Sequence, residues 1–195
     1  MEKIKNENVN EAVNENQEAK KESKLKNFLG TCMYIIVIFL VLFLIIHFTV
    51  LRTKVTSTSM DPVLQEKDNI IVEKVSYFFG EPDRFDVIIF PFEEEKGTYF
   101  IKRIIGMPGE TVQIDEEGTI YINGEVLEEN YGNAVMESAG AASEPIQLGA
   151  DEYFVLGDNR NDNADSRNTM VGNVNRKEII GRVWIRFWPK FNLVK

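Results

Sequence analysis

Residues 99–106 read YFIKRIIG, a stretch whose side chains alternate between two faces of a β-strand. Period-two alternation places Lys102 on the same face as its large apolar neighbours Phe100 and Ile104. Similar short runs of Val, Ile, Phe and Tyr, separated by turn residues, recur from residue 69 to the C-terminus. No long amphipathic helix pattern interrupts them. The sequence therefore predicts a mostly β fold class, a compact β-sheet or barrel-like domain.

Turn residues punctuate these runs. Asn123-Gly124 lies between TIYI and EVL, and Asn-Gly supplies the positive φ angles of a type I′ hairpin turn. Residues 129–150 are rich in Gly, Ala, Asn and Glu, which indicates an exposed excursion between strands.

The N-terminal part of the chain has a different composition. Residues 1–27 are rich in Glu, Lys and Asn, which predicts a disordered cytoplasmic tail. Residues 28–51 contain no Asp, Glu, Lys or Arg, and at the helical rise they reach about 36 Å, enough to cross a hydrocarbon core. A persistent transmembrane helix is expected here, followed by an extracytoplasmic β-rich domain over residues 52–195.

Charges on either side of this apolar run predict its orientation. Close to the run, more lysines precede it than cations follow it, so the positive-inside rule puts the N-terminus in the cytoplasm and residues 52–195 outside. His47 is expected at the outer membrane interface in preference to an intramembrane functional role. The flanking cations are Lys20, Lys21, Lys24 and Lys26 before the run, and Arg52 and Lys54 after it.

Composition excludes several function classes. A net charge of −9 argues against general binding of nucleic acid, which needs clustered Lys and Arg. Cys32 and His47 are single residues of their type and both lie in the apolar run, so neither a disulfide framework nor a zinc site is expected. No metal and no cofactor are predicted.

The stretch STSMDP, residues 57–62, raises the question of which base could activate a serine. With the only histidine inside the apolar run, a neutral lysine is the leading candidate, as in Ser-Lys variants of the catalytic triad. Lys102 meets the requirement, because burial between apolar neighbours lowers the pKa of an amine. The alternative is a strand lysine whose amine reaches solvent.

A third polar stretch, GDNRNDNADSR, covers residues 157–167 directly after the strand EYFVL. Such a density of Asp, Asn and Arg favours a loop braced by ion pairs and side-chain-to-backbone hydrogen bonds. A calcium loop is the functional rival, but Arg160 would occupy a ligand position and the required glycine is missing.

Together, the order and context of these stretches resemble those of type I signal peptidases, membrane-anchored serine proteases. STSMDPVL is similar to the family's nucleophile box, DVIIF to its middle strand box, YFIKRIIGMPGE to its lysine box and GDNRNDNADSR to its last box. The single anchor is similar to that of the smaller Gram-positive-type members.

The resemblance implies roles for individual residues. Ser59 matches the nucleophile and Lys102 the general base, while the Ser59 N–H and the Ser57 hydroxyl match the oxyanion-hole donors. Two departures from the family pattern are Thr58, where a small residue is usual, and Asn163, where a serine often orients the lysine. The residues that match the supporting polar set are Asp158, Asn163, Asp165 and Arg167.

The implied partners are signal peptides of exported preproteins, with small residues at −1 and −3, and the lipid bilayer. One alternative is an inactive, membrane-tethered module that binds secretory peptides; a self-cleaving repressor-type Ser-Lys protease fits the anchor and the acidic charge poorly. Ala139-Gly140-Ala141 is itself an Ala-x-Ala sequence, so cleavage after Ala141 is conceivable, although small-residue flexibility is the favoured interpretation.

Overall fold

A computed structural model describes Lys24 and residues 26–45, 48–92, 94–132 and 134–194. The chain divides into two units, Met1–Phe48 and Thr49–Lys195. Residues 1–23 of the predicted tail and His47 lie outside the described residues.

The first unit contains helix α1, Lys26–Ile45. Its apolar side chains are exposed on all sides, as in a helix that does not pack against a protein core. At the helical rise its 20 residues extend about 30 Å, so the helix is long and apolar enough to cross a membrane. Val50 and Leu51, which the sequence places in the apolar span, already belong to the first strand.

The second unit is mostly β, which confirms the predicted fold class. Its bulky β-branched and aromatic runs form strands, and turn residues separate them. The strands are β1 Val50–Lys54, β2 Asn69–Glu73, β3 Val87–Pro91, β4 Tyr99–Gly106, β5 Thr111–Ile114, β6 Ile120–Ile122, β7 Glu125–Val126, β8 Ile146–Gln147, β9 Glu152–Leu156, β10 Val174–Asn175, β11 Gly181–Trp188 and β12 Asn192–Leu193. Two short helices accompany them, α2 Ser76–Phe79 and the 3-10 helix η1 Gly140–Ser143.

Within the described residues, the strands form two sheets in which neighbouring strands run antiparallel. The larger sheet has the order β1-β2-β11-β3-β4-β9-β10, and β12 pairs with β11. The smaller sheet has the order β7-β6-β5-β8. Three clusters of buried apolar residues stabilise the domain, and the cluster around β5 and β6 supports the smaller sheet.

β4 lies inside the larger sheet, between β3 and β9, and all its residues from Lys102 onward are buried. Lys102 is the register partner of Ile88, and Arg103 is the partner of Val87 on β3 and Leu156 on β9. The sequence alternation therefore correctly groups Lys102 with Phe100, whose ring centre lies 5.6 Å from Lys102 Nζ.

The two turn predictions have different outcomes. Asn123 and Gly124 have φ angles of 53° and 83°, which confirms the left-handed turn between β6 and β7. Residues 129–150 are only in part the exposed excursion that their composition predicts. Three of their side chains enter the core of the smaller sheet, because this sheet needs apolar cover that its own short strands do not supply; they are Met136, Ala142 and Leu148.

Candidate active site

Ser59 lies in a tight turn that follows β1. The Asp61 N–H donates to the Thr58 carbonyl at 3.1 Å, and the Leu64 N–H donates to the Met60 carbonyl at 2.9 Å. Met60 and Leu64 are buried in the apolar cluster beneath the turn, so packing as well as hydrogen bonding fixes its position. Ser59 itself is only 4% exposed.

The hydroxyl of Ser57 lies beside that of Ser59. Their Oγ atoms are 3.2 Å apart, and either can donate to the other. Ser57 is exposed, whereas Ser59 is buried, so the pair extends from the interior of the site to its surface. Thr58 is exposed as well, and its carbonyl accepts a 3.4 Å hydrogen bond from Asn159 Nδ2. The branched side chain of Thr58 is therefore not tightly packed next to Ser59.

Lys102 is 2% exposed and forms no ion pair with any residue that the structure describes. Burial lowers the pKa of its amine below the ordinary value, and this effect outweighs the opposite influence of the carboxylates of Asp162, Asp165 and Asp158. Arg167 acts in the same direction as burial. The physical requirement for a lysine base, a destabilised ammonium ion, is therefore present.

Gly157, directly after β9, brings the serine and lysine segments together. A Cβ atom at Gly157 would stand 2.5 Å from the Ser59 carbonyl oxygen and 3.5 Å from Lys102 Nζ. Both atoms thus approach one point that only a glycine leaves open. The next turn residue also holds the serine segment, because the Asn159 N–H donates to the Ser59 carbonyl at 3.0 Å.

Two buried ion pairs surround this turn. Arg103 donates from Nε and Nη2 to the two carboxylate oxygens of Asp158, each at 2.7 Å, and both side chains are fully buried. Arg167 donates to both oxygens of Asp165, at 2.9 and 2.7 Å. Bidentate geometry of this kind satisfies the charges that burial would otherwise leave uncompensated.

The second ion pair also reaches the turn itself. Asp165 Oδ2 accepts a 3.3 Å hydrogen bond from the Gly157 N–H, so the Asp165 carboxylate joins Arg167 to the backbone between Ser59 and Lys102. Asp158, Asp165 and Arg167 therefore lie where the sequence predicts a polar brace.

Asn163 does not lie in that brace. Its side chain is exposed, and within the described residues it forms no hydrogen bond with Lys102. The exposed position of Asn163 does not support the expectation that it orients the lysine, whereas Asp165, two residues later, is fully buried and accepts from the Gly157 N–H.

A cavity of about 230 Å³ lies beside the serine pair. It is bounded by the segment from Thr53 to Ser57 on one side and by the β3–β4 hairpin on the other. Val55, Ile89 and Ile101 give the cavity an apolar component. In the part of the chain that the structure describes, no cluster of His, Cys, Asp or Glu has the arrangement of a metal site.

Sequence reasoning did not assign roles to Gly157 and Arg103, although both stand inside the stretches it singled out. Gly157 follows a strand directly, which is a signal for close backbone approach. Arg103 is a charged residue whose neighbours on the same strand face, Ile101 and Ile105, are both apolar, and such a residue needs a buried partner. Neither signal names the partner, which is set by the pairing of β4 with β9.

Residues 26–188 match the family model for signal peptidase, peptidase S26. The chain belongs to the signal peptidase family. The matched region includes the stretch with Ser59, the stretch with Lys102 and the polar loop at residues 157–167.

Curated relatives carry signal peptidase names. Probable signal peptidase I-2 of Synechocystis sp. is 40% identical over 140 residues, which cover 69% of this chain and 62% of that protein. Signal peptidase I of Leptolyngbya laminosa is 46% identical over 142 residues, covering 69% of this chain and 67% of that protein. Signal peptidase I of Bacillus licheniformis is 36% identical over 148 residues, covering 72% and 77%. This chain thus spans less than two thirds of the length of the Synechocystis relative.

Among solved structures, the crystal structure of a signal peptidase I from Enterococcus faecalis V583 is 35% identical to this chain. The match covers 53% of this chain and 97% of that chain, with a TM-score of 0.44.

Proposed function

We propose that this chain is a membrane-anchored signal peptidase I, a serine endopeptidase that removes N-terminal signal peptides from exported preproteins. The observation that carries the proposal is that the Ser59 backbone carbonyl oxygen and the amine of buried Lys102 both lie beside Gly157, while Lys102 forms no ion pair with any described residue. Membership of the signal peptidase family supplies the reaction class to which this geometry is matched.

In the proposed reaction, the neutral amine of Lys102 takes the proton of Ser59 Oγ as this oxygen attacks the carbonyl carbon of the signal peptide's last residue. The Ser59 N–H and the Ser57 hydroxyl stabilise the oxyanion, and the contact between the two hydroxyl oxygens supports the second donor. Lys102 then passes its proton to the departing amino group of the mature protein. An ester between Ser59 and the signal peptide remains.

Water completes the proposed cycle. Lys102 takes a proton from a water molecule, whose oxygen attacks the ester carbon. Collapse of the second tetrahedral intermediate releases the signal peptide with a free carboxyl group and returns a proton to Ser59 Oγ. Lys102 thus acts in both halves, which requires that its amine be neutral at the start of each.

The proposed substrate is an extended peptide with small residues at −1 and −3. Such a peptide can pair with strand backbone while alternate side chains enter a cavity on one face. The cavity of about 230 Å³ beside Ser57, bounded in part by Val55, Ile89 and Ile101, offers a place for one such side chain to bind.

A preprotein with an Ala-x-Ala site tests the proposal directly. The full-length chain in detergent micelles should release the signal peptide, and Ser59→Ala or Lys102→Met should each lower kcat by roughly 10³-fold or more. The Thr58→Ala variant retains both proposed catalytic groups and serves as a neighbouring control. Preprotein binding without cleavage by the wild type, unchanged in Ser59→Ala, would instead favour the inactive binding module.

A further inference from the structure

The segment Glu129–Gly132 opens the excursion that the sequence predicts to be exposed and without a catalytic role, yet it packs on the active-site loop. Glu129 Oε1 forms an ion pair with Arg160 Nη1 at 2.6 Å, and the two side chains are 9% and 5% exposed. The other carboxylate oxygen of Glu129 accepts a 2.7 Å hydrogen bond from the Tyr131 N–H. At Gly132 an added Cβ would stand 3.1 Å from Arg160 Cζ, so the backbone also covers the guanidinium.

Arg160 transmits this contact to the turn at the site, since its Nε donates to the Gly157 carbonyl at 3.2 Å. Its Nη2 is buried without a partner in the described residues. Among the described residues, Glu129 is the only carboxylate that forms an ion pair with this guanidinium. Burial raises the pKa of the Glu129 carboxyl, but the hydrogen bond and charge of Arg160 outweigh it and hold the pKa below its usual value, so Glu129 is ionised.

Tyr131 reaches the same turn through a different arginine. Its ring lies under the guanidinium of Arg103, with Cζ 3.8 Å from the ring centre, and it also contacts the ring of Phe85 at 5.1 Å between centres. Arg103 in turn holds Asp158 through two hydrogen bonds. A planar cation stacked on an aromatic face keeps the orientation that its bidentate ion pair needs.

The two arginines therefore donate hydrogen bonds to consecutive residues, Arg160 to Gly157 and Arg103 to Asp158. This is the turn beside the Ser59 carbonyl oxygen and Lys102 Nζ, which a Cβ added at Gly157 would approach to 2.5 and 3.5 Å. Since the Asn159 N–H of this turn donates to the Ser59 carbonyl while β4 holds Lys102, a displaced turn would move the serine relative to the lysine. Errors of about 1 Å in such a separation can lower a rate roughly 100-fold.

We propose that Glu129 and Tyr131 are positioning residues, which act through Arg160 and Arg103 to hold the Gly157–Asp158 turn against the serine and lysine. The inference rests on the proposed function, because it concerns the rate of that reaction. Neither residue touches the reacting atoms.

The test measures preprotein cleavage by the full-length chain across a range of pH. Glu129→Gln and Tyr131→Leu should each lower kcat by roughly 10- to 100-fold and leave KM within about twofold. The acid limb of the kcat/KM profile should also move to higher pH in both, since a loosened turn admits water to Lys102 and raises the pKa of its amine. Tyr131→Phe keeps the ring and should match the wild type, as should Glu128→Gln, which alters the exposed neighbouring carboxylate.

Thermal unfolding of each variant separates positioning from folding. A fall in kcat that only follows the folded fraction, with no movement of the acid limb, would overturn the proposal, as would wild-type kinetics in folded Glu129→Gln. Because Glu129→Gln is isosteric, it keeps the prediction testable if Tyr131→Leu does not fold. Ser59→Ala in the same assay identifies the other kind of failure: if it still cleaves, the proposed dyad is wrong, whatever the positioning variants do.

Discussion

At the scale of single residues, the proposed chemistry and the stability of the fold make opposite demands on Lys102. A base must be neutral to take a proton, and burial provides this by lowering the pKa of the amine. The unfolded chain, however, solvates the same lysine freely and binds its proton up to a higher pH. The free energy of unfolding therefore rises with pH between the folded-state pKa and the ordinary value of 10.5.

Lys102→Met tests this cost. Methionine fills a similar volume without a charge, so we expect the free energy of unfolding at pH 7 to increase by on the order of 1 kcal/mol. The increase should shrink toward pH 10.5, where the lysine is neutral in the folded state and increasingly so in the unfolded state. Thermal melts followed by tryptophan fluorescence at both pH values measure the effect, with exposed Lys177→Met as the control. A methionine variant less stable than the wild type at pH 7 would contradict it.

At the scale of elements, helix η1 determines whether the chain's own Ala-x-Ala sequence can be a substrate. A protease requires an extended segment, but Gly140–Ser143 is helical, the Ala141 N–H donates to the Arg167 carbonyl at 2.9 Å, and Ala142 is fully buried. The site therefore lies in ordered, packed structure, and the flexible loop that its composition indicates is not observed.

We accordingly expect no cleavage after Ala141 in the purified wild type. Gly140→Val should expose the site, because Gly140 has a φ of 56° and an added Cβ would stand 2.6 Å from the Arg167 carbonyl oxygen. Mass spectrometry should then find a fragment that begins at Ala142 in Gly140→Val, and not in Gly140→Val combined with Ser59→Ala. The same fragment from the wild type would show that η1 does not protect the segment.

The elements also show which features a sequence can predict. The face of Lys102 and the turn at Asn123-Gly124 follow from local rules, alternation and positive φ, and both are observed. The contacts of Gly157 and Tyr131 depend on how β9 and the segment after β7 pack against β4, which no local pattern encodes. For Asn163 the residue type suits the expected task, but the path of the loop turns it to the surface.

At the scale of the whole molecule, the proposed function depends on which side of the membrane the β-rich domain occupies. Helix α1 is long enough to cross a bilayer, and the four lysines at or just before its start outnumber the two cations just after the apolar run, Arg52 and Lys54. The positive-inside rule then predicts that the N-terminus is cytoplasmic and that residues 52–195 lie on the side where exported preproteins emerge. The margin in charge is small, so the orientation should respond to substitution.

Protease treatment of spheroplasts measures this orientation. For the wild type, we expect added protease to degrade the β-rich domain, and an antibody to that domain should detect none of it afterwards. Replacing all four preceding lysines with glutamine leaves Arg52 and Lys54 as the dominant cations, so a protected, inverted fraction should appear and cleavage of preprotein in intact cells should fall in proportion. Detergent-lysed samples control for intrinsic resistance of the domain. The substituted lysines are Lys20, Lys21, Lys24 and Lys26. Full protection of the wild-type domain would contradict the predicted topology, because a cytoplasmic site could not meet exported substrates.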